Sequence, residues 1–177
     1  MSKIPTTRST PLQEFLTRAH QLEPRMLKQL AGLVRIESPS DDKPAVDRAA
    51  AEVAHWAADL GGRVKLHRHA RFGDSLEARF GPRRGVDPLL LLGHLDTVWN
   101  KGTLRSMPLR LTRDRIHGPG VLDMKTGVVM MLAAIRILAE CQALERPVVM
   151  LLHGDEEVGS PASRKTSIKT LAAYICG

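Results

Sequence analysis

Four consecutive leucines at positions 89–92 restrict the fold of this chain more than any other feature of its sequence. Pro88 precedes the run and Gly93 ends it. An apolar run without polar alternation predicts a strand buried on both faces, and such strands are typical of parallel sheets covered by helices on both sides. His94 and Asp96 follow at the carboxyl end of this strand, where ligands bind in open α/β sheets.

These two residues support two interpretations. In the first, His94 is a metal ligand and Asp96 holds it in place. In the second, His94 is an ordinary polar loop residue near a helix cap, which is the commoner fate of an isolated His-x-Asp. The choice between them depends on what the rest of the chain places beside this loop.

Composition restricts the possible partners. The chain has 177 residues, of which 43% are hydrophobic and 25% charged, as expected for one soluble globular domain. The net charge is +7, but the basic residues are scattered and only 3% of the chain is aromatic. Because stacking aromatics are few, we expect no nucleic-acid partner.

The cellular location is predicted from the first ten residues, the most apolar stretch and the spacing of the cysteines. The first ten residues contain no apolar signal segment. The most apolar stretch, residues 127–139, is interrupted by Arg136 and is shorter than the ~20 residues of a membrane span. Cys141 and Cys176 show no paired spacing, which is typical of a reducing compartment. We therefore expect a cytoplasmic protein without membrane contact.

The pattern of apolar residues predicts alternating helices and strands. Helices are expected from Thr10 towards Leu22, with a break at Pro24 before a second helix to Val34, and over 44–60 and 124–140. Strands are expected near 64–66 and 76–80 as an antiparallel edge pair, at the leucine run, as a hairpin within 109–117, and at 148–152, which is again fully apolar. The prediction is an α/β three-layer sandwich with a mainly parallel central sheet.

Acidic residues follow the predicted buried strands in the same way as His94 and Asp96. Asp123 lies in a glycine-rich turn before a buried helix, and Glu156 and Glu157 follow the second buried strand. If those strands are parallel neighbours, all three loops open at one edge, where an imidazole and several carboxylates repel one another unless a cation binds. Such nitrogen and oxygen ligands suit zinc, or less specifically cobalt or manganese.

The adjacent glutamates favour a hydrolase. In an extended segment neighbouring side chains point to opposite sides, so that one glutamate can bind metal while the other faces the substrate water. His67 and His69 also share a face at strand spacing, but the arginines and lysine around them oppose a dication, and we expect a solvated sheet edge there.

Three motifs together resemble the signatures of a family of dizinc hydrolases. They are Gly93-His94-Leu95-Asp96-Thr97-Val98, Gly118-Pro119-Gly120-Val121-Leu122-Asp123-Met124-Lys125 and Asp155-Glu156-Glu157-Val158-Gly159-Ser160. The family contains glutamate carboxypeptidases, aminoacylases, acetylornithine deacetylase and succinyl-diaminopimelate desuccinylase. The segment Trp99-Asn100-Lys101-Gly102 is most similar to the glutamate carboxypeptidase branch.

The resemblance implies a zinc-exopeptidase-like fold and specific roles. His94 would bind one zinc, Asp123 would bridge two, Glu157 would bind the other, Glu156 would be the general base and Asp96 would orient His94. The implied reaction is hydrolysis of an amide or peptide bond by metal-activated water, with a small peptide or N-acyl amino acid as substrate and a C-terminal amino acid such as glutamate released.

The resemblance covers roughly residues 38–164, with helices before it to about residue 37 and a divergent tail over 165–177. It also implies a further carboxylate, a C-terminal histidine and a smaller inserted dimerisation domain, none of which these residues provide. Residues 158–177 contain no Asp, Glu or His. We expect an amino-terminal portion of the catalytic domain, able to dimerise only if the missing domain is present. The alternative is a truncated, non-catalytic fragment that only contacts other proteins.

Overall fold

The computed structural model of the chain describes residues 11–82 and 87–175, with side chains described up to Thr170. The predicted helix cap Thr10 and the cysteine Cys176 lie outside these residues. In chain order the elements are α1 (Pro11–Arg35), α2 (Lys43–Asp59), β1 (Arg63–His67), β2 (Gly73–Phe80), β3 (Leu89–His94), β4 (Arg110–Leu111), β5 (Ile116–His117), α3 (Thr126–Glu140), β6 (Val148–Gly154) and α4 (Arg164–Ile175).

The central sheet has the strand order β1-β2-β6-β3. β1 pairs with β2, and β2 with β6, in antiparallel orientation, whereas β3 and β6 are parallel. The expectation of a mainly parallel sheet is therefore wrong for the described strands. The link between β1 and β2 is too short for a parallel crossover, while the long connection from β3 to β6 contains α3 and permits one.

The two apolar strands differ in burial. β6 is buried along its whole length, as predicted. In β3, Leu89 and Leu92 are 46% and 51% exposed, so that the prediction of burial on both faces is wrong for this strand. Among the described strands β3 pairs with β6 alone and lies at the sheet edge, which leaves its outer side open.

The structure has three layers. Residues 148, 150 and 152 of β6 pack with β2 against α2 and α3 in one continuous core. The alternate residues of β6 face the other side, where Ser167 of α4 lies 2.9 Å from His153, measured from Oγ to Nε2. Helices thus lie on both faces of the sheet, with α2 and α3 on one side and α4 on the other, and the α/β three-layer prediction is confirmed.

Helix α1 is continuous through Pro24, so the predicted break there is wrong. Proline removes one helical hydrogen bond and strains the preceding turn. The second half of α1 is nevertheless held by burial, since Leu30, Leu33 and Val34 are at most 3% exposed. The apolar contact of this half outweighs the local cost of Pro24.

Helix α2 agrees with its prediction. The Asp42 side chain accepts a hydrogen bond from the Ala45 N–H, and Pro44 occupies the first turn. The predicted hairpin is present as β4 and β5. No helix among the described residues is long and apolar enough to cross a membrane.

Candidate metal centre

The carboxyl ends of β3 and β6 lie side by side. The two strands are parallel, and His94 at the end of β3 is in register with His153 of β6. The Leu95 N–H donates to the His153 carbonyl at 2.8 Å, which extends the pairing one residue beyond β3. The loop with Asp96 and the loop with Glu156 and Glu157 therefore leave the sheet together, as the sequence predicts.

His94 is held by both nitrogens of its ring. It is 5% exposed, and its Nδ1 lies 3.0 Å from the backbone carbonyl oxygen of Asp96. Its Nε2 lies 3.0 Å from Asp123 Oδ1 and 3.8 Å from Glu156 Oε2. Because Nδ1 is engaged by the protein, Nε2 is the nitrogen that faces the acidic residues.

Three predicted ligands come together in space. His94, Asp123 and Glu157 each offer one ligand atom, and these atoms all lie within 4.8 Å of one another. Imidazole nitrogen and carboxylate oxygen are ligand types that zinc accepts, and three protein ligands is the usual number at a catalytic zinc. The residues present therefore fit a divalent metal ion.

The charge balance of this cluster also favours a cation. Burial opposes the charged imidazole, but hydrogen bonds to Asp96 and Asp123 outweigh it and raise the pKa of His94 to about 9. Burial raises the pKa of Glu157, and the neighbouring Asp123 and Asp96 raise it further, although His94 opposes the shift. A bound cation would relieve this repulsion among the carboxylates.

The Asp96 carboxylate reaches further than the sequence predicts. It is 1% exposed, with Oδ1 3.5 Å from His94 Nδ1. Its Oδ1 also accepts the Glu156 N–H and its Oδ2 the Glu157 N–H, each at 3.1 Å. Ser40 Oγ donates to Oδ2 at 2.7 Å. One buried carboxylate thus joins the histidine loop, the glutamate loop and the loop before α2.

The glutamates lie in a short helical turn, Glu156–Val158, and not in the extended segment that the sequence argument assumed. Both side chains are on the His94 side of the loop: Glu157 belongs to the three-residue cluster, and Glu156 approaches His94 Nε2. Glu156 is the more exposed of the two. It is therefore the glutamate that is more open to an incoming molecule.

Lys125 anchors the turn that contains Asp123 to the end of α1. The Lys125 side chain is 1% exposed, and its Nζ donates to the carbonyls of Leu33 and Ile36 at 3.1 and 2.7 Å, at the end of α1. Burial lowers the pKa of Lys125 to about 8, although Glu37 partly opposes the shift. Asp123 itself stays open, with 73% of its side chain exposed.

Three residues near the centre were missed by the sequence argument. They are Ser40, Met124 and Lys125, to none of which the sequence analysis gave a role. In the structure the His94 N–H donates to Met124 Sδ at 3.3 Å. Each acts through a contact between segments distant in sequence, so only the three-motif pattern itself could have drawn attention to Met124 and Lys125.

His67 and His69 have separate partners. His67 Nε2 lies 2.7 Å from Glu77 Oε2, and His69 Nε2 lies 2.9 Å from Ser75 Oγ. Each imidazole is thus engaged by its own neighbour on β2.

Comparison with known proteins agrees with this geometry. Residues 90–175 match the model of peptidase family M20/M25/M40. Carboxypeptidase G2 of Pseudomonas sp. (strain RS-16) is 32% identical over 145 residues, which are 80% of this chain and 35% of that protein. Over these residues the chain is similar to members of that peptidase family. An acetylornithine deacetylase of Salmonella arizonae is 28% identical over 160 residues, covering 86% of this chain and 42% of the relative.

Two solved structures share the fold of this chain. Human carnosine dipeptidase 1 superposes with a TM-score of 0.79 at 19% identity, over 96% of this chain and 40% of that chain. The M20 family metallo-carboxypeptidase Sso-CP2 of Sulfolobus solfataricus gives a TM-score of 0.67 at 23% identity, over 76% of this chain and 32% of that chain. The M20-related chain thus spans 35–42% of the length of the two sequence relatives described above.

Proposed function

We propose that this chain carries the zinc-binding part of a hydrolase site that cleaves amide or peptide bonds. The observation that supports the proposal most directly is the convergence of His94, Asp123 and Glu157. Similarity to a carboxypeptidase and to an acetylornithine deacetylase, whose names denote cleavage of such bonds, supports the proposal. Release of a C-terminal amino acid such as glutamate rests on the motif resemblance alone.

In this proposal each residue has a separate task. His94, Asp123 and Glu157 would hold zinc, with Asp123 shared if two ions bind, and cobalt or manganese would be alternative occupants. Bound zinc would polarise the scissile carbonyl and make water a better nucleophile. Asp96 keeps His94 oriented through contacts with its Nδ1 side.

Glu156 would be the general base. Its carboxylate lies at the open side of the cluster, 3.8 Å from His94 Nε2, within reach of a water placed over the three ligands. It would take a proton from that water as the oxygen adds to the amide carbonyl. The same proton would then pass to the leaving amine as the C–N bond breaks, which returns Glu156 to its charged form.

The test is turnover of a small peptide or N-acyl amino acid, including an N-acyl glutamate, by zinc-loaded protein. Glu156→Gln should lower turnover by about 10²-fold or more, the usual worth of a general base, while bound zinc is unchanged. Glu145→Gln is the matched control, since Glu145 is an exposed loop residue away from the centre. Retained turnover in Glu156→Gln would show that the base is assigned wrongly.

A second candidate is a non-catalytic fragment that contacts other proteins. The exposed Leu89 and Leu92 on the edge strand β3 favour it. Zinc binding without turnover of any substrate would favour this candidate. Cytoplasmic location, and dimer formation through a further domain, stay predictions.

A further inference from the structure

Ser40 lies at the start of a buried chain of hydrogen bonds that ends at both glutamates. It is 6% exposed and follows α1 by five residues, in the loop before α2. Its Oγ donates to Asp96 Oδ2 at 2.7 Å, across 56 residues of sequence. The same carboxylate accepts the N–H groups of Glu156 and Glu157.

Asp96 thus accepts two hydrogen bonds from the glutamate turn. A turn of three residues, Glu156–Val158, has few internal hydrogen bonds of its own, so its position depends on what its free N–H groups contact. Two consecutive N–H groups of this turn are bound by the two oxygens of one carboxylate. The direction in which the carboxylate points therefore decides where the turn lies.

Ser40 limits the rotation of that carboxylate. A carboxylate can turn about its Cβ–Cγ bond unless its oxygens are held separately. The hydroxyl of Ser40 is a further donor to Oδ2, besides the Glu157 N–H. Ser40 stands on a loop that is itself paired with the Asp96 segment, since the Thr97 N–H donates to the Ser38 carbonyl at 2.9 Å. The position of the Ser40 hydroxyl is therefore fixed relative to the Asp96 carboxylate that accepts its hydrogen bond.

We propose that Ser40 is a positioning residue of the metal centre, which acts through Asp96 to place Glu156 and Glu157 relative to His94. The inference rests on the proposed function for its consequence in metal binding, but its structural part concerns the protein without metal. Ser40 is not one of the three clustered ligand residues and contacts the centre through the Asp96 carboxylate. It sets the separation between the glutamate turn and the histidine that the proposed centre requires.

The matched control is Ser38, two residues earlier in the same loop. Ser38 is fully buried, and its Oγ also donates at 2.7 Å, but to the backbone carbonyl of Leu95. Ser38→Ala and Ser40→Ala thus remove the same group, with the same bond length, from the same loop. They differ in whether the Asp96 carboxylate loses a partner.

The first readout is amide hydrogen exchange of Glu156 and Glu157 in metal-free protein. Ser40→Ala should speed exchange at both positions by about ten-fold or more relative to wild type, and Ser38→Ala should not, because exchange reports local opening of the turn. Ser40→Thr keeps the donor and should restore protection. If Ser40→Ala does not fold, Ser40→Cys provides the comparison with a weaker donor of similar shape.

The second readout is zinc affinity, measured by competition with a chelator. Loss of a partner behind the ligands typically costs 10–100-fold in metal affinity, and we expect Ser40→Ala to fall in about this range, with Ser38→Ala within a few-fold of wild type. Equal effects of the two alanine variants on exchange and on affinity would overturn the inference.

The two readouts separate this inference from the proposed function. If wild-type protein binds no zinc but the exchange difference is present, Ser40 positions the turn and the proposed function fails. If wild-type protein binds zinc and the two serine variants behave alike, the proposed function stands and the inference about Ser40 is wrong.

Discussion

Replacing Asp96 by asparagine tests whether this carboxylate joins the three loops of the centre. Asn is nearly the same shape, but it has one oxygen where Asp has two. In the structure Oδ1 accepts the Glu156 N–H while Oδ2 accepts the Glu157 N–H and the Ser40 hydroxyl. Whichever way the Asn amide is placed, its NH₂ faces a backbone N–H, and one donor is left without an acceptor.

The expected cost follows from those bonds. A hydrogen bond to a charged group contributes about 1.5–3 kcal/mol, and a buried unsatisfied donor adds a comparable penalty. Since Ser40 can rotate its hydroxyl and adapt, one backbone N–H is lost outright and the remaining bonds become neutral ones. We expect Asp96→Asn to lower the free energy of unfolding by about 2–4 kcal/mol.

The assay is denaturant unfolding of metal-free protein at neutral pH. Asp114→Asn is the control, because the Asp114 side chain is 77% exposed in the β4–β5 hairpin and should change stability by less than about 0.5 kcal/mol. A change in Asp96→Asn as small as in the control would refute the reasoning, since it would mean that the three bonds carry no stability.

Three further predictions test other parts of the structure. Gly120→Ala should destabilise the protein by about 2 kcal/mol or more in thermal unfolding, because φ is +68° and a Cβ would lie 2.7 Å from Thr97 Cγ2. Gly32→Ala, in open space on α1, should not destabilise it. Burial opposes ionisation of Asp74, but hydrogen bonds from Lys43, the His69 N–H and Arg68 hold its pKa below the usual value. Its contribution to stability is therefore present above its unfolded pKa and lost as pH falls through the lower folded pKa. Asp74→Asn should thus be less stable at neutral pH, with a flatter fall in melting temperature below about pH 4; an unchanged acid profile would contradict the assignment. Leu92→Lys should change the melting temperature little, whereas Leu91→Lys should lower it clearly, since Leu91 packs against the core. Equal effects of the two variants would contradict the exposed position of Leu92 on β3.

Much of the fold was predictable because local signals agreed with tertiary packing. The cap at Asp42 and the apolar face of α2 predicted that helix almost to the residue. The continuous apolar run of β6 predicted a strand buried on both faces, and the structure confirms it. In these segments the residues that favour the local structure are also those that the core requires.

The incorrect predictions arise where long-range packing overrides a local signal. Pro24 disfavours a helix locally, but burial of Leu30 and Leu33 beyond it keeps α1 continuous. The leucines of β3 have the composition of a central strand, yet whether a strand is central or at an edge depends on its neighbours and not on its own residues. β2 also pairs with β6 in antiparallel orientation, a direction that the residues of the two strands do not encode.

The candidate site was likewise predictable in part. The loops of His94, Asp123 and Glu157 were expected at one edge because parallel strands place their carboxyl ends together, and the structure brings the three ligand atoms together there. The hydrogen bonds that support these loops were not predictable from the sequence. Ser40 lies 56 residues from Asp96, and Lys125 lies 92 residues from Leu33, so no local pattern connects either pair.

Zinc stoichiometry on purified protein, in wild type and in Asp123→Ala, tests the central claim most directly. Asp123 is the ligand that the resemblance assigns to both ions, and its Oδ1 lies 3.0 Å from His94 Nε2. We predict about one zinc or more per chain in wild type, a loss of that zinc in Asp123→Ala, and its retention in the control Asp114→Ala. Wild-type protein that holds no zinc above background, or an Asp123→Ala variant that binds as wild type does, would contradict the account of this cluster as a metal centre.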